Sequence, residues 1–127
     1  MRFPFDFDYP IAAPLAAVGV TPFTAHVEVA DGWFDVRFGP WRLRTPLANL
    51  GSSHLTGPYR AYRVLGTHIS LADRGVTFGT NTRRGLCVEF LRPVPAALPA
   101  GLLKHPGATV TVREPERLRE EIVRAAA

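Results

Sequence analysis

Residues 31–46 (DGWFDVRFGPWRLRTP) constrain the fold more than any other part of the sequence. Asp31-Gly32 is a strong two-residue hairpin signal, because both central positions of a type I′ turn need a positive φ. Apolar residues then occupy every second position on both sides of a second turn, which is the period of strands that bury one face; they are Phe34, Val36, Phe38, Trp41 and Leu43. The stretch therefore predicts the middle of an antiparallel β-meander.

The strand that precedes the first turn fits the same register. Its inward positions within residues 24–30 are Ala25, Val27 and Val29, and a turn at Asp31-Gly32 places each of them opposite an apolar residue of the next strand. Pairing across the second turn again places apolar residues opposite one another. We therefore predict that three strands over residues 24–44 share one buried face.

The remaining chain predicts further strands and a C-terminal helix. Strands are expected at residues 59–65, 68–73, 76–80, 86–91 and 108–113. The segment 47–58 is expected to be a loop that could contain a short strand, and the segment 92–107 is expected to be a loop. A turn at Arg74-Gly75 would place Leu71 opposite Phe78. Pro115 opens the helix, whose apolar stripe includes Leu118 and Ile122. Because so short a helix is marginal by itself, it must dock on the sheet.

Length and composition predict one mainly β domain. The 127 residues divide into an N-terminal arm (1–22), a partly open antiparallel barrel or strongly curved sheet (24–113) and an amphipathic helix (114–125). The lone Cys87 excludes an intrachain disulfide and a zinc cluster built on cysteines. No apolar run is long enough to cross a membrane, and Pro14 interrupts the one stretch that could serve as a signal-peptide core. We expect a cytoplasmic protein.

The N-terminal arm has one aromatic face. Its alternating residues Phe3, Phe5 and Phe7 are separated by a proline and by acidic residues, and proline rules out a central strand but allows an edge strand or a docked arm. The aromatic residues could cover an open side of the sheet, frame a pocket, or pack on a second subunit as the arm of a homodimer. One or two helical turns are expected at residues 12–18.

Candidate catalytic and metal-binding residues occur at two places. His26, Glu28 and Asp35 share the outer face of the predicted meander and could hold a divalent ion; alternatively they form a solvated surface on which Arg44 neutralises Asp35. His54 follows two serines, but no nucleophile elbow is present. A small metal-dependent or hydrolytic enzyme is therefore the alternative function, while our primary expectation includes no metal and no cofactor.

The predicted ligand site combines apolar and basic residues. Arg83 and Arg84 lie in an exposed turn, and a guanidinium suits phosphate or carboxylate. Leu98 and Leu102 belong to the proline-rich segment 94–103, which should form a pocket with Phe3, Phe5 and Phe7. We therefore predict a non-catalytic binding module for an apolar or anionic small molecule, lipid or peptide. Nucleic acid is disfavoured as a partner, because the basic residues are scattered and the net charge is only +4.

The order of the predicted elements and four short motifs each resemble those of known proteins. Strands followed by one C-terminal helix resemble the pleckstrin-homology-like barrel, whose helix plugs an open corner. The motifs RFGPW (37–41), TPLAN (45–49), TNTRRG (80–85) and HPGATVTV (105–112) are similar to an uncharacterised family of small actinobacterial proteins. This second resemblance extends from Thr21 onward and implies kinship without implying an activity.

Overall fold

Nine strands and two α-helices occupy the part of the chain that the computed structural model describes, which is residues 1–58, 66–69, 75–81, 83–95 and 104–126. The strands are β1 (Arg2–Pro4), β2 (Ala25–Ala30), β3 (Trp33–Phe38), β4 (Trp41–Pro46), β5 (Leu50–Thr56), β6 (Gly66–Ile69), β7 (Val76–Gly79), β8 (Gly85–Pro95) and β9 (Lys104–Val110). The helices are α1 (Tyr9–Ala17) and α2 (Pro115–Ala126), and a 3₁₀ turn spans Leu47–Asn49.

The first sheet contains the predicted meander in the order β1-β2-β3-β4. Asp31 and Gly32 both have positive φ, at 53° and 81°, as the turn requires. Val27 pairs with Val36, and Val36 pairs with Leu43 on its other side. All three side chains are buried. The predicted register of this sheet is confirmed, with the difference that Trp41 is only half-buried.

The second sheet has the order β5-β8-β9-β7-β6. It is mixed, because β9 pairs antiparallel with β8 and parallel with β7, where Val110 lies opposite Phe78. Buried side chains from both sheets form one hydrophobic core. As predicted, the fold is mainly β with a C-terminal helix, and in the described residues the strands form two sheets and not a closed barrel.

Two segments contain more strand than predicted, since 47–58 was expected to hold at most a short strand and 92–107 none. Residues 50–56 form β5 despite their serine-rich composition, because pairing with β8 supplies the hydrogen bonds. The segment 92–107 is strand at both ends, since β8 continues to Pro95 and β9 begins at Lys104. Pro93 and Pro106 lie where the β8–β9 ladder shifts register, between the pairs Glu89–Gly107 and Val94–His105, and a missing N–H is tolerated at such an irregularity.

The predicted hairpin register at β6–β7 is wrong. Thr67, and not Leu71, lies opposite Phe78. Leu71 and Arg74 lie outside the described residues, as does the strand predicted at 59–65. The prediction assumed that Arg74 and Gly75 alone connect the two strands. In the structure the paired part of β6 ends at Ile69, which lies opposite Val76.

The N-terminal arm joins the two sheets. Phe3 pairs with Val27 at the edge of the first sheet, and Phe5 forms a bridge with Val112, just after β9. Both aromatic side chains are buried, at 4% and 2% exposure. The ring of Phe5 lies 5.1 Å from that of Phe38, in an edge-to-face arrangement. The arm is therefore part of the core of this chain, in agreement with the expectation that it covers an open side of the sheet.

Helix α2 packs against both sheets, through contacts with β2, β5 and β8. Its residues Leu118 and Ile122 are buried, whereas Val123 on the opposite face is 65% exposed. We expect Leu118→Ala to lower the free energy of unfolding by about 2–5 kcal/mol, the usual cost of removing a buried leucine. Urea denaturation measures this loss, and Val123→Ala is the matched control. Equal stabilities for the two variants would contradict the docking of the helix.

Candidate ligand-binding groove

A buried polar cluster holds the arm in place. The Thr80 hydroxyl donates to the Asp6 carbonyl at 2.7 Å, and the Asn81 amide donates to the same carbonyl at 2.8 Å. The backbone N–H of Thr80 donates to the Thr111 hydroxyl at 2.8 Å. These side chains are almost completely buried. Thr80 and Asn81 of the TNTRRG motif therefore have a structural role in fastening the arm.

The two arginines of the predicted site have partners within the chain. Arg83 forms ion pairs with Asp6, at 2.7 Å, and with Asp8. Arg84 forms an ion pair with Glu116 of α2. Exposed pairs of this kind contribute little stability, yet they compete with any external anion for the guanidinium groups. The structure thus brings Arg83 to the arm, where Phe3 and Phe5 point into the core and Phe7 packs partly buried against it.

The outer face of the first sheet does bring together His26, Glu28 and Asp35. They line a polar cleft of about 450 Å³ that also contains Arg2 and Arg37. Arg2 binds Glu28 at 3.3 Å. A metal ion would therefore meet two nearby guanidinium groups. Within the described ranges, no group of three or more His, Cys, Asp and Glu side chains is arranged to hold a metal ion.

Asp35 also has a partner, but a different one from that expected. Arg42 binds it with two hydrogen bonds, Nε to Oδ1 at 3.1 Å and Nη2 to Oδ2 at 2.9 Å. Arg44 lies directly opposite Asp35 in the ladder, but its guanidinium carbon lies 3.7 Å from the centroid of the Trp33 ring. The expected neutralisation of Asp35 by Arg44 is wrong, because Arg44 stacks on the indole instead.

His26, on the outer face of the first sheet, should make the stability depend on pH. Burial, together with the charge of Arg2, lowers the pKa of His26 below its ordinary value of 6.5. The unfolded chain therefore binds this proton more tightly, so the free energy of unfolding should fall as the pH drops below about 6.5. His26→Gln should lose less stability than the wild type between about pH 7.5 and about pH 5.5 in urea denaturation. Equal losses would contradict the assignment.

The second candidate, His54, is exposed on β5 and lies opposite Cys87 of β8. Ser52 does not face an imidazole base; its hydroxyl donates to Glu89 at 2.5 Å. The serine-histidine sequence therefore brings no nucleophile and base together at Ser52. The pairing of His54 with Cys87 depends on strand register and was not visible from sequence spacing.

A groove separates the end of β4 from the end of β8. This β4–β8 groove has a volume of about 480 Å³ and is lined by Arg44, Thr45, Pro46, Ala48 and Asn49 on one side and by residues 91–95 on the other. Most of its lining side chains are apolar, and Leu91 is 69% exposed. Its volume is in the range of sites that hold small ligands or short peptide segments.

Asn49 fixes the distance between the two walls. Its side-chain amide donates to the carbonyl of Arg92 at 3.0 Å, and its side-chain oxygen accepts from the N–H of Arg92 at 2.9 Å. The same amide donates to the Thr45 hydroxyl at 3.0 Å. The Asn49 side chain thus binds the backbone N–H and carbonyl of Arg92, as a neighbouring strand would. The groove is consequently held open by hydrogen bonds and does not depend on a ligand for its shape.

Two arginines line the groove and, among the described residues, form no ion pair. Arg44 stacks on Trp33, and in the described part of the chain neither it nor Arg92 has a carboxylate partner. A second cleft, of about 540 Å³, lies between β5 and α2, but it combines arginines with Glu116 and Glu120. The β4–β8 groove is therefore the described cleft that best combines apolar walls with free positive charge.

The sequence predicted a pocket between the segment 94–103 and the aromatic arm. Val94 of that segment lines the β4–β8 groove, whose lining does not include Phe3, Phe5 or Phe7. Leu98 and Leu102 lie outside the described residues, so their assignment stays a prediction. Sequence reasoning missed Asn49, Leu91 and Arg92. The alternating prolines of RPVP (92–95) are the one signal that could have indicated an exposed, extended wall.

In the described chain, no helix has the length and apolar character needed to span a membrane. Searches with protein-family models, against curated proteins and against solved structures find no match to the chain.

Proposed function

We propose that the protein is a non-catalytic, cytoplasmic binding module whose β4–β8 groove takes a ligand with an apolar body and an anionic group. One observation carries this proposal: an apolar groove is lined by Arg44 and Arg92, neither of which has a carboxylate partner among the described residues. The single cysteine supports a reducing compartment, because the chain needs no internal disulfide.

The apolar walls and the arginines of the groove would contribute to ligand binding in different ways. Covering an exposed leucine such as Leu91 contributes roughly 1.5–3 kcal/mol when burial is complete. A guanidinium can form two parallel hydrogen bonds to a carboxylate or phosphate, which adds orientation to attraction. Because Arg44 is already stacked on Trp33, binding would immobilise few additional rotatable bonds. The apolar walls thus supply affinity and the arginines select for negative charge.

The probe for this proposal is 8-anilinonaphthalene-1-sulfonate, an apolar dye with one anionic group. We expect its fluorescence to rise on binding, and the double variant Arg44→Glu/Arg92→Glu to weaken binding by at least about tenfold. Arg113→Glu/Arg117→Glu makes the same change of charge at residues that line neither this groove nor the cleft between β5 and α2, and is the matched control. Equal weakening by both double variants would show that net charge, and not the groove, holds the dye.

Native mass spectrometry of the purified protein addresses the enzymatic alternative. A retained organic molecule would support the binding module. A stoichiometric metal ion would instead support a small metal-dependent enzyme centred on His26, Glu28 and Asp35 or on His54. In the first case, loss of the retained mass in Arg44→Glu/Arg92→Glu would locate the molecule in the groove.

A further inference from the structure

We propose that the natural ligand of the groove is an extended acidic peptide segment that pairs with the free edge of β4 and extends the first sheet by one strand. This inference rests on the proposed function, because it names the occupant of the same groove. Its basis is the backbone of β4, which among the described strands is the last of its sheet and has β3 as its partner.

The register identifies which backbone groups face the free edge. Gly39 and Pro40 form a two-residue turn, so the flanking pair Phe38 and Trp41 exchanges hydrogen bonds. Hydrogen-bonded and non-hydrogen-bonded pairs alternate along an antiparallel ladder. Arg42 and Arg44 are therefore at non-hydrogen-bonded positions, and their backbone N–H and C=O groups point away from β3. These groups are available to an added strand.

The opposite edge of the same sheet already holds an extended segment of the chain itself. The N-terminal arm pairs with β2 through β1, and beyond β1 it alternates aromatic and acidic residues. Its Asp6 and Asp8 carboxylates bind Arg83. The sheet thus accepts an extended segment with the apolar side chain of Phe3 at its β2 edge, while the acidic residues of the arm come after this strand, where the Asp6 N–H donates to the Thr111 carbonyl. The β4 edge carries basic side chains, so charge complementarity with Arg44 favours acidic residues in the added strand.

Side-chain alternation specifies the peptide. Residues of the added strand on the same face as Arg44 should be acidic, because oppositely charged neighbours across strands attract. Residues on the other face would lie on the side of the sheet to which Leu43 points and should be apolar. The competing explanation is that arginines and Pro46 protect the edge from unwanted pairing. The unpaired guanidinium groups beside an apolar wall favour recognition over protection.

The test uses a synthetic heptapeptide of alternating aspartate and valine with blocked ends. Two isomers of a modified peptide carry N-methyl groups either on the aspartate amides or on the valine amides. Since a strand presents alternate N–H groups to its neighbour, we expect one isomer to bind like the parent and the other to bind at least about tenfold more weakly. The amides of Arg42 and Arg44 should exchange hydrogen more slowly in the complex.

The outcomes separate this inference from the proposed function. Equal binding of both isomers, or no binding of the parent peptide while the naphthalene dye still binds in the groove, would overturn strand addition and leave the binding module standing. Failure of the dye to depend on Arg44 and Arg92 would overturn the proposed function, and the peptide proposal with it. Retained binding of the parent to Arg44→Glu/Arg92→Glu would overturn the acidic specificity.

Discussion

Replacing Val36 by aspartate should leave the chain without a cooperatively folded state. Val36 lies on the central strand of the three-stranded meander, between Val27 and Leu43, and its side chain has no exposure. Burying an unpaired carboxylate costs several kcal/mol even after the surroundings relax. That cost is comparable with the whole stability of an ordinary domain, about 5–15 kcal/mol.

Thermal unfolding followed by circular dichroism measures this effect. We expect Val36→Asp to show no cooperative transition, whereas Val123→Asp, the same substitution on the exposed face of α2, should melt close to the wild type. A cooperative transition of wild-type midpoint in Val36→Asp would mean that the buried face of the meander has been assigned incorrectly.

The meander could be predicted because its information is local. Each hairpin joins strands separated by two residues, and a shift of one residue would turn every apolar side chain to the wrong face. Asp31-Gly32 and Gly39-Pro40 therefore determine the register of β2, β3 and β4 without reference to the rest of the chain.

The second sheet could not be predicted in this way because its pairing is not local. β9 inserts between β8 and β7, and its parallel pairing with β7 has no signal in the intervening sequence. β5 has the composition of a loop, yet it pairs with β8 along Leu50–Thr56. Composition indicates a loop at such positions, but the partner strand decides the structure.

The candidate site also depends on contacts between residues that are far apart in the sequence. Arg83 was identified correctly as an exposed arginine suited to anions, but its anions are Asp6 and Asp8, more than seventy residues earlier in the chain. The groove likewise depends on a contact between Asn49 and Arg92, which are 43 residues apart. Residue type indicated the chemistry of these side chains, whereas only the fold determines which of them retain a free charge.

Deleting residues 1–8 should unfold the domain or reduce it to a state without fixed packing. The deletion removes Phe3 and Phe5 from the core, and the loss of one buried phenylalanine side chain typically costs about 3–5 kcal/mol. It also leaves the edge of β2 unpaired and the buried cluster of Thr80, Asn81 and Thr111 without the Asp6 carbonyl that two of them bind.

Point variants distinguish this core role from that of a lid over a ligand site or a dimer arm. Phe5→Ala should lower the free energy of unfolding by about 3–5 kcal/mol, whereas Phe23→Ala, at a side chain that is 94% exposed, should change it by less than about 0.5 kcal/mol. Urea denaturation at several protein concentrations provides the measurement. An unchanged midpoint for Phe5→Ala would favour a lid, and a midpoint that rises with protein concentration would favour an arm exchanged between subunits. A loss confined to Phe5→Ala and independent of concentration follows from the structure, because the arm packs within its own chain.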